Sequence, residues 1–176
     1  MPTSRPICIR QICSQLLARE PNSILDVGVG FGKNGFISRE YTDIWHGRVF
    51  GNWTTRIDGV EAFPQYISDI QRKIYTNIYI GDATEVINTL PNYDVILCTA
   101  VLEHIPKDKA HKLLSTIKEK SKYAMVVLPV KVKPQGPVYG NEYERHIAEW
   151  SREELEQYGK VTVVPDEVND QYMLEM

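Results

Sequence analysis

At 176 residues, with 43% hydrophobic and 24% charged side chains, the chain has room for one domain with a sizeable core and an ordinary globular composition. Its net charge of −3 and pI near 5.8 argue against bulk attraction to nucleic acid or an anionic membrane. No apolar run approaches the roughly 20 residues of a membrane span, and Arg10 interrupts the N-terminal apolar stretch without a small-residue cleavage site, so the expected location is cytoplasmic.

Thr3 or Ser4 caps a first helix with Pro6 in its first turn, and Ile9, Ile12, Cys13, Leu16 and Leu17 share one face of it. Glu20-Pro21-Asn22 ends this helix and leads into a strand at 24–27. Gly28, Gly30 and Gly32 follow at once, in a turn that brings backbone N–H groups close to a ligand, and a helix runs over 33–40. Residues 41–55 show no steady period. Trp45, Phe50 and Trp53 mark this stretch as an ordered excursion anchored by its aromatics, since disordered segments are poor in such residues. A second strand at 56–61 ends in an acid, and Ile67, Ile70 and Ile74 give an amphipathic helix over 64–75.

A third strand at 77–80 stops at Gly81-Asp82, and a short helix covers 84–90. The continuous apolar run at 94–100 is the mark of a strand buried on both faces. A loop at 101–106 precedes a helix over 108–120 with Ala110, Leu113, Leu114 and Ile117 inward, and a fifth strand spans 123–130. Pro134, Gly136, Pro137 and Gly140 make 131–143 a loop. Ser151 and Glu154 form a capping-box pattern for a helix to residue 158, stopped by Gly159. The last strands, 161–164 and 172–175, are joined by about seven residues, a hairpin length too short for a parallel crossover. Cys8, Cys13 and Cys98 lack metal-ligand spacing and read as reduced, mostly buried thiols.

Strands alternating with helices and closing on a hairpin predict an α/β fold: a three-layer αβα sandwich around a doubly wound, mostly parallel sheet with one antiparallel strand near the C-terminal edge. Ligands bind such sheets beyond the carboxyl ends of the strands, where Asp26 with its glycines, Glu61, Asp82 and residues 99–104 converge.

Three cofactor readings compete for the glycine turn. A P-loop needs a glycine five residues before Gly32-Lys33 and a Ser or Thr after it, but Val27 and Asn34 stand there. A dinucleotide fingerprint matches at Gly30, Gly32 and Gly35, yet starts two residues late relative to the strand. The third reading rests on Asp26-Val-Gly28-Val-Gly30-Phe-Gly32, which resembles the first motif of the Rossmann-like, class I S-adenosylmethionine-dependent methyltransferases. Glu61 matches the acid ending that family's second strand, and Gly81-Asp82-Ala83 its adenine-side motif. The segment from Tyr93 through Glu103-His104-Ile105 resembles its fourth-strand region, and the closing hairpin fits its antiparallel seventh strand between the fifth and sixth.

The resemblance implies a single methyltransferase domain over 1–176 with a seven-stranded sheet, the excursion at 41–55 and a substrate-side loop at 131–150. It implies S-adenosylmethionine as cofactor and S-adenosylhomocysteine as product, with Asp26, Gly28, Gly30, Gly32, Glu61, Ala62, Asp82, Ala83, Thr99 and Val101 around them. Asp26 would lie near the methionyl ammonium through water, Glu61 would accept the ribose hydroxyls and Asp82 the adenine amino group. The excursion lengthens the usual spacing from Asp26 to Glu61, so the helix after the first strand is extended or followed by a lid-like element.

Methyl transfer is an in-line displacement in which orientation dominates, and a base is needed only for an acceptor that is protonated when it attacks. His104 beyond the fourth strand is one candidate catalytic residue. His146 is the other, in a segment with Tyr139, Tyr143, Glu144, Arg145 and Trp150 where the family commonly builds acceptor pockets. No Asp/Asn-Pro-Pro-Tyr/Phe follows the fourth strand and Cys98 lacks a Pro-Cys context, which with the acidic pI favours a small-molecule or glycan-like acceptor over nucleic acid. Selectivity would come from 41–55, 101–106 and 131–150. Two other readings stay open: a non-catalytic cofactor-binding or partner subunit of this fold, and a nicotinamide-dependent oxidoreductase. The oligomeric state is open too, a homodimer included.

Overall fold

A computed structural model describes residues 3–176 and builds them around one seven-stranded sheet. The strands are β1 (Ser23–Val27), β2 (Arg56–Glu61), β3 (Asn77–Ile80), β4 (Tyr93–Thr99), β5 (Ser121–Pro129), β6 (Lys160–Val164) and β7 (Gln171–Glu175), in the order β3-β2-β1-β4-β5-β7-β6. The first five run parallel, and β7 is antiparallel to both β5 and β6, the short connection over 165–170 making β6 and β7 a hairpin. Strand order reverses between β1 and β4, so the chain leaves their carboxyl ends in opposite directions and opens a crevice there.

Alternation along the strands divides the apolar residues between two cores. On one face Ala124, Val126 and Leu128 of β5 join Leu25, Val27, Ile96 and Leu174. That face is covered by α4 (Ala83–Thr89), α5 (Lys107–Lys120) and α6 (Arg152–Glu156) through Ile87, Leu113, Leu114, Ile117 and Leu155. On the other face Tyr123, Met125 and Val127 join Ile24, Ile57 and Leu97, beneath Ile12 and Leu16 of α1 (Ile9–Arg19). The helices α2 (Lys33–Thr42) and α3 (Asp69–Ile74) complete the layers, and no described helix is long and apolar enough to cross a membrane.

Two elements differ from expectation for local reasons. The helix expected over 64–75 is split into a 3-10 turn at Pro64–Tyr66 and then α3. Ser68 breaks it by adopting extended backbone and forming a capping box with Gln71, whose Oε1 accepts the Ser68 N–H at 2.9 Å. The first helix likewise opens with a 3-10 turn, Pro6–Cys8, before α1 begins.

The excursion at 41–55 is ordered, but of Trp45, Phe50 and Trp53 only the half-buried Trp53 packs into the anchor. Trp45 is 65% and Phe50 69% exposed. The anchor is Asp43, fully buried, which takes ion pairs from Arg39 and Arg48 and accepts the Thr54 N–H at 2.9 Å. Arg39, itself 4% exposed, donates to the carbonyls of Thr55 and Ile74 at 2.8 Å each and lies over the Trp53 ring. A buried carboxylate in such a knot fixes the loop because every alternative leaves a charge in the core without a partner.

Asp43→Ala should therefore cost about 3–5 kcal/mol, because it strands the Arg39 guanidinium. Trp45→Ala should change stability by less than about 0.5 kcal/mol. Urea denaturation of the two variants checks the contrast, and a larger loss at Trp45 would restore the aromatic anchor.

Candidate functional site

The glycine turn after β1 folds back over β2. Gly28 (φ +83°) and Val29 donate their N–H groups to the Val60 carbonyl at 3.0 and 3.1 Å. A Cβ on Gly28 would meet the Val101 side chain at 2.5 Å, so only glycine lets the turn and the loop after β4 approach. Glu61, at the end of β2, closes the arrangement. Its Oε2 accepts the Gly30 N–H at 2.7 Å and its Oε1 the Phe63 N–H at 2.8 Å. Burial raises its carboxyl above the ordinary value, and these N–H groups oppose that rise.

Beneath the turn lies Asp26, only 1% exposed. Its two oxygens accept from the Asn34 amide at 3.0 Å and from the Tyr75 hydroxyl at 2.5 Å. Asn34 also donates to the Thr99 hydroxyl at 2.8 Å, and Tyr75 accepts the Gly35 N–H at 3.0 Å. A Cβ at Gly35 would fall 2.3 Å from the Tyr75 ring, which gives this glycine a packing role inside α2 rather than a place in a phosphate fingerprint. Burial pushes the Asp26 carboxyl up to about 6 despite these two donors.

A cavity of about 210 Å³ opens above the turn. Among the residues expected at a cofactor, Gly28, Gly30, Glu61, Ala62, Asp82, Ala83, Thr99 and Val101 line it. Asp26 and Gly32 do not: Asp26 faces down into its hydrogen-bond network, and Gly32 (φ +89°) is the N-cap of α2. Asp82 caps α4, its Oδ1 accepting from the Thr84 N–H at 2.9 Å and the Thr84 hydroxyl at 2.7 Å, which leaves Oδ2 for a ligand.

At the far end of the cavity are Tyr66, Asn141, Tyr143 and Glu144, where the Tyr66 hydroxyl donates to Glu144 at 3.2 Å. His104 lines the cavity from a 3-10 turn, Leu102–His104, and burial holds its imidazole down to about 4. His146 stands behind it, with the two rings 4.9 Å apart. Trp150 is a core anchor, its indole N–H reaching the Leu102 carbonyl at 3.5 Å. Tyr139 is exposed and does not line the cavity.

No residue of 41–55 lines this cavity. Instead α2 simply runs on to Thr42, and Thr3 and Ser4 line the opening, Ser4 held by the Lys33 ammonium at 2.7 Å through its carbonyl. Thr3 and Ser4 thus line the opening instead of capping the first helix, whose N-cap is Arg5. Asn34 and Tyr75 belong to no motif, and Asn34 stands out in the sequence only where a P-loop would carry Ser or Thr.

No family model matches the chain. A curated relative, protein-L-isoaspartate O-methyltransferase of Fervidobacterium nodosum, is 25% identical over 146 residues, 80% of this chain but only 61% of that one. Magnesium protoporphyrin IX methyltransferase from Synechocystis, solved with S-adenosylhomocysteine, superposes with a TM-score of 0.63 at 13% identity over 95% of this chain and 80% of its own. The 1,6-didemethyltoxoflavin-N1-methyltransferase of Burkholderia thailandensis, solved with its ligand and S-adenosylhomocysteine, gives 0.63 at 18% identity over 96% and 76%. The chain has the class I methyltransferase fold. Within this methyltransferase fold the cavity occupies the crevice at the strand-order reversal, bounded by the ends of β1, β2 and β4.

The raised Asp26 carboxyl has a consequence for stability. Unfolded, it releases its proton near the ordinary 3.8; folded, it keeps it up to about 6. Between those values the folded state binds more protons, so stability falls as pH rises through the window and levels off above it. In urea denaturation, the wild-type advantage over Asp26→Asn should shrink by on the order of 2–3 kcal/mol from about pH 4 to about pH 7. A difference constant over that range would contradict this assignment.

Proposed function

We propose that the chain is an S-adenosylmethionine-dependent methyltransferase acting on a small-molecule or glycan-like acceptor. The observation carrying this reading is that the Glu61 carboxylate is bonded to the Gly30 N–H inside the cavity. A pyrophosphate at a glycine turn would need that N–H and would meet the carboxylate's charge. A phosphate-free nucleoside meets neither obstacle. The Glu61 oxygens accept the Gly30 and Phe63 N–H groups, and a carboxylate has about four acceptor sites, so room remains for the ribose hydroxyls; Asp82 Oδ2 suits an exocyclic amino group. Lys33, the cation nearest the turn in sequence, is spent on Ser4.

When bound, the cofactor supplies an electrophilic methyl group on a sulfonium. The chain's own residues hold it and exclude water. Gly28 and Gly30 give the methionyl part a backbone surface, and Asp26 keeps that surface in place from below through Asn34 and Tyr75. Val101 packs on Gly28. His104, kept neutral by burial, and Glu144 with Tyr143 form the acceptor end. That small-molecule enzymes recur among the structural neighbours supports an acceptor of that class.

Calorimetric titration tests the reading. S-adenosylhomocysteine should bind and NAD(H) should not, and Glu61→Gln should weaken the former by about 10- to 100-fold, equivalent to losing about 1.5–3 kcal/mol of charge-assisted hydrogen bonding. Binding of NAD(H) alone would overturn it.

A further inference from the structure

The turn after β4 and the loop after β5 are stitched together by backbone. Ile147 and Ala148 donate their N–H groups to the Glu103 carbonyl at 2.9 and 3.2 Å, next to His104 on one strand of chain and His146 on the other. Glu103, His104 and His146 are thereby gathered so that one ligand-competent atom from each lies within 4.8 Å of the others.

The details of each side chain point the same way. His104 donates its Nδ1–H to the Arg145 carbonyl at 3.0 Å, and His146 donates its own to the Lys133 carbonyl at 2.5 Å. A carbonyl can only accept, so Nδ1 carries the proton on both rings and the lone pair is left on Nε2. Metal-binding imidazoles are oriented in this way, by a backbone acceptor on the nitrogen opposite the ligating one. Glu103 is 2% exposed, and its Oε2 has no hydrogen-bond partner. A buried carboxylate oxygen left unpaired beside two held imidazoles is costly unless something cationic completes the group.

We propose that Glu103, His104 and His146 bind a divalent first-row transition-metal ion at the acceptor end of the cavity. Two nitrogen donors and one carboxylate suit Zn²⁺, Mn²⁺, Fe²⁺ or Co²⁺ better than Mg²⁺ or Ca²⁺, which favour oxygen donors throughout. Three protein ligands leave coordination positions open. Because His104 also lines the cavity, those positions face the space where an acceptor would sit. An acceptor hydroxyl or carboxylate bound there would be fixed in place, and a hydroxyl would give up its proton more readily. The site therefore selects acceptors that carry a metal-coordinating oxygen. It does not require the methyl-transfer cofactor, since all three ligands belong to the chain.

The test uses tag-free, chelator-stripped protein titrated with Co²⁺, followed by calorimetry and by visible d–d absorption. The expected result is one equivalent bound per chain, with affinity falling about tenfold or more in His146→Ala and in Glu103→Gln. His146→Gln repeats the measurement with a bulkier, half-buried replacement, and S-adenosylhomocysteine titration of each variant reports that the fold is intact. Absence of saturable Co²⁺ binding, or unchanged binding in His146→Ala, overturns the proposal. Cofactor binding without Co²⁺ binding removes the metal site alone, whereas Co²⁺ binding without cofactor binding removes the methyltransferase reading alone.

Discussion

The structure depends on one buried carboxylate. Asp26 sits near the end of β1, where water does not reach it, and its two oxygens are bonded to Asn34 at the start of α2 and to Tyr75 just beyond α3. Asn34 carries the connection to Thr99 at the end of β4, and Tyr75 carries it back to the Gly35 N–H. Four segments are thus pinned at the crevice by groups that would each pay a desolvation cost if released. Gly35 and Gly59 give the Tyr75 ring its space, since a Cβ at either would press on it. The glycine turn above inherits its shape from this network, and Glu61 locks it from the side.

The two ends of the cavity are built by different means. The end assigned to the cofactor is rigid, formed where strands stop, and its polar groups are positioned by the sheet register that puts Val27 between Val60 and Cys98. The end assigned to the acceptor is made of loop segments, and its order comes from backbone stitching between Glu103 and residues 147–148 and from the Tyr66–Glu144 hydrogen bond. Scaffold and loops of this kind let one fold serve many acceptors while holding one cofactor.

Much of this was written in local pattern. Strand β2 ends at the acid Glu61 and strand β3 stops at Gly81-Asp82 as expected, the buried β4 was legible as an apolar run, and the hairpin length foretold that β6 and β7 would pair antiparallel. The Ser151–Glu154 capping box marks the start of α6, while the equivalent Ser68–Gln71 box lies inside a stretch whose isoleucine spacing reads as one continuous helix. What local pattern does not carry is pairing across distance. Asp43 with Arg39 and Arg48, Asp26 with Tyr75 and His104 with His146 are separated in sequence or lie in aperiodic stretches, and only the fold brings them together. Of Trp45, Phe50 and Trp53 in the 41–55 stretch, the first two are exposed and only Trp53 packs, under Arg39, so charge pairing in the core carries most of that loop's order.

The central claim is that the crevice holds a nucleoside through Glu61 and Asp82, without a phosphate at the glycine turn. A crystal structure of the chain with S-adenosylhomocysteine tests it most directly. The account predicts the ribose hydroxyls on the Glu61 carboxylate and the adenine amino group on Asp82, with the methionyl part along Gly28 and Gly30. A ligand bound elsewhere, or one whose ribose ignores Glu61, would contradict it.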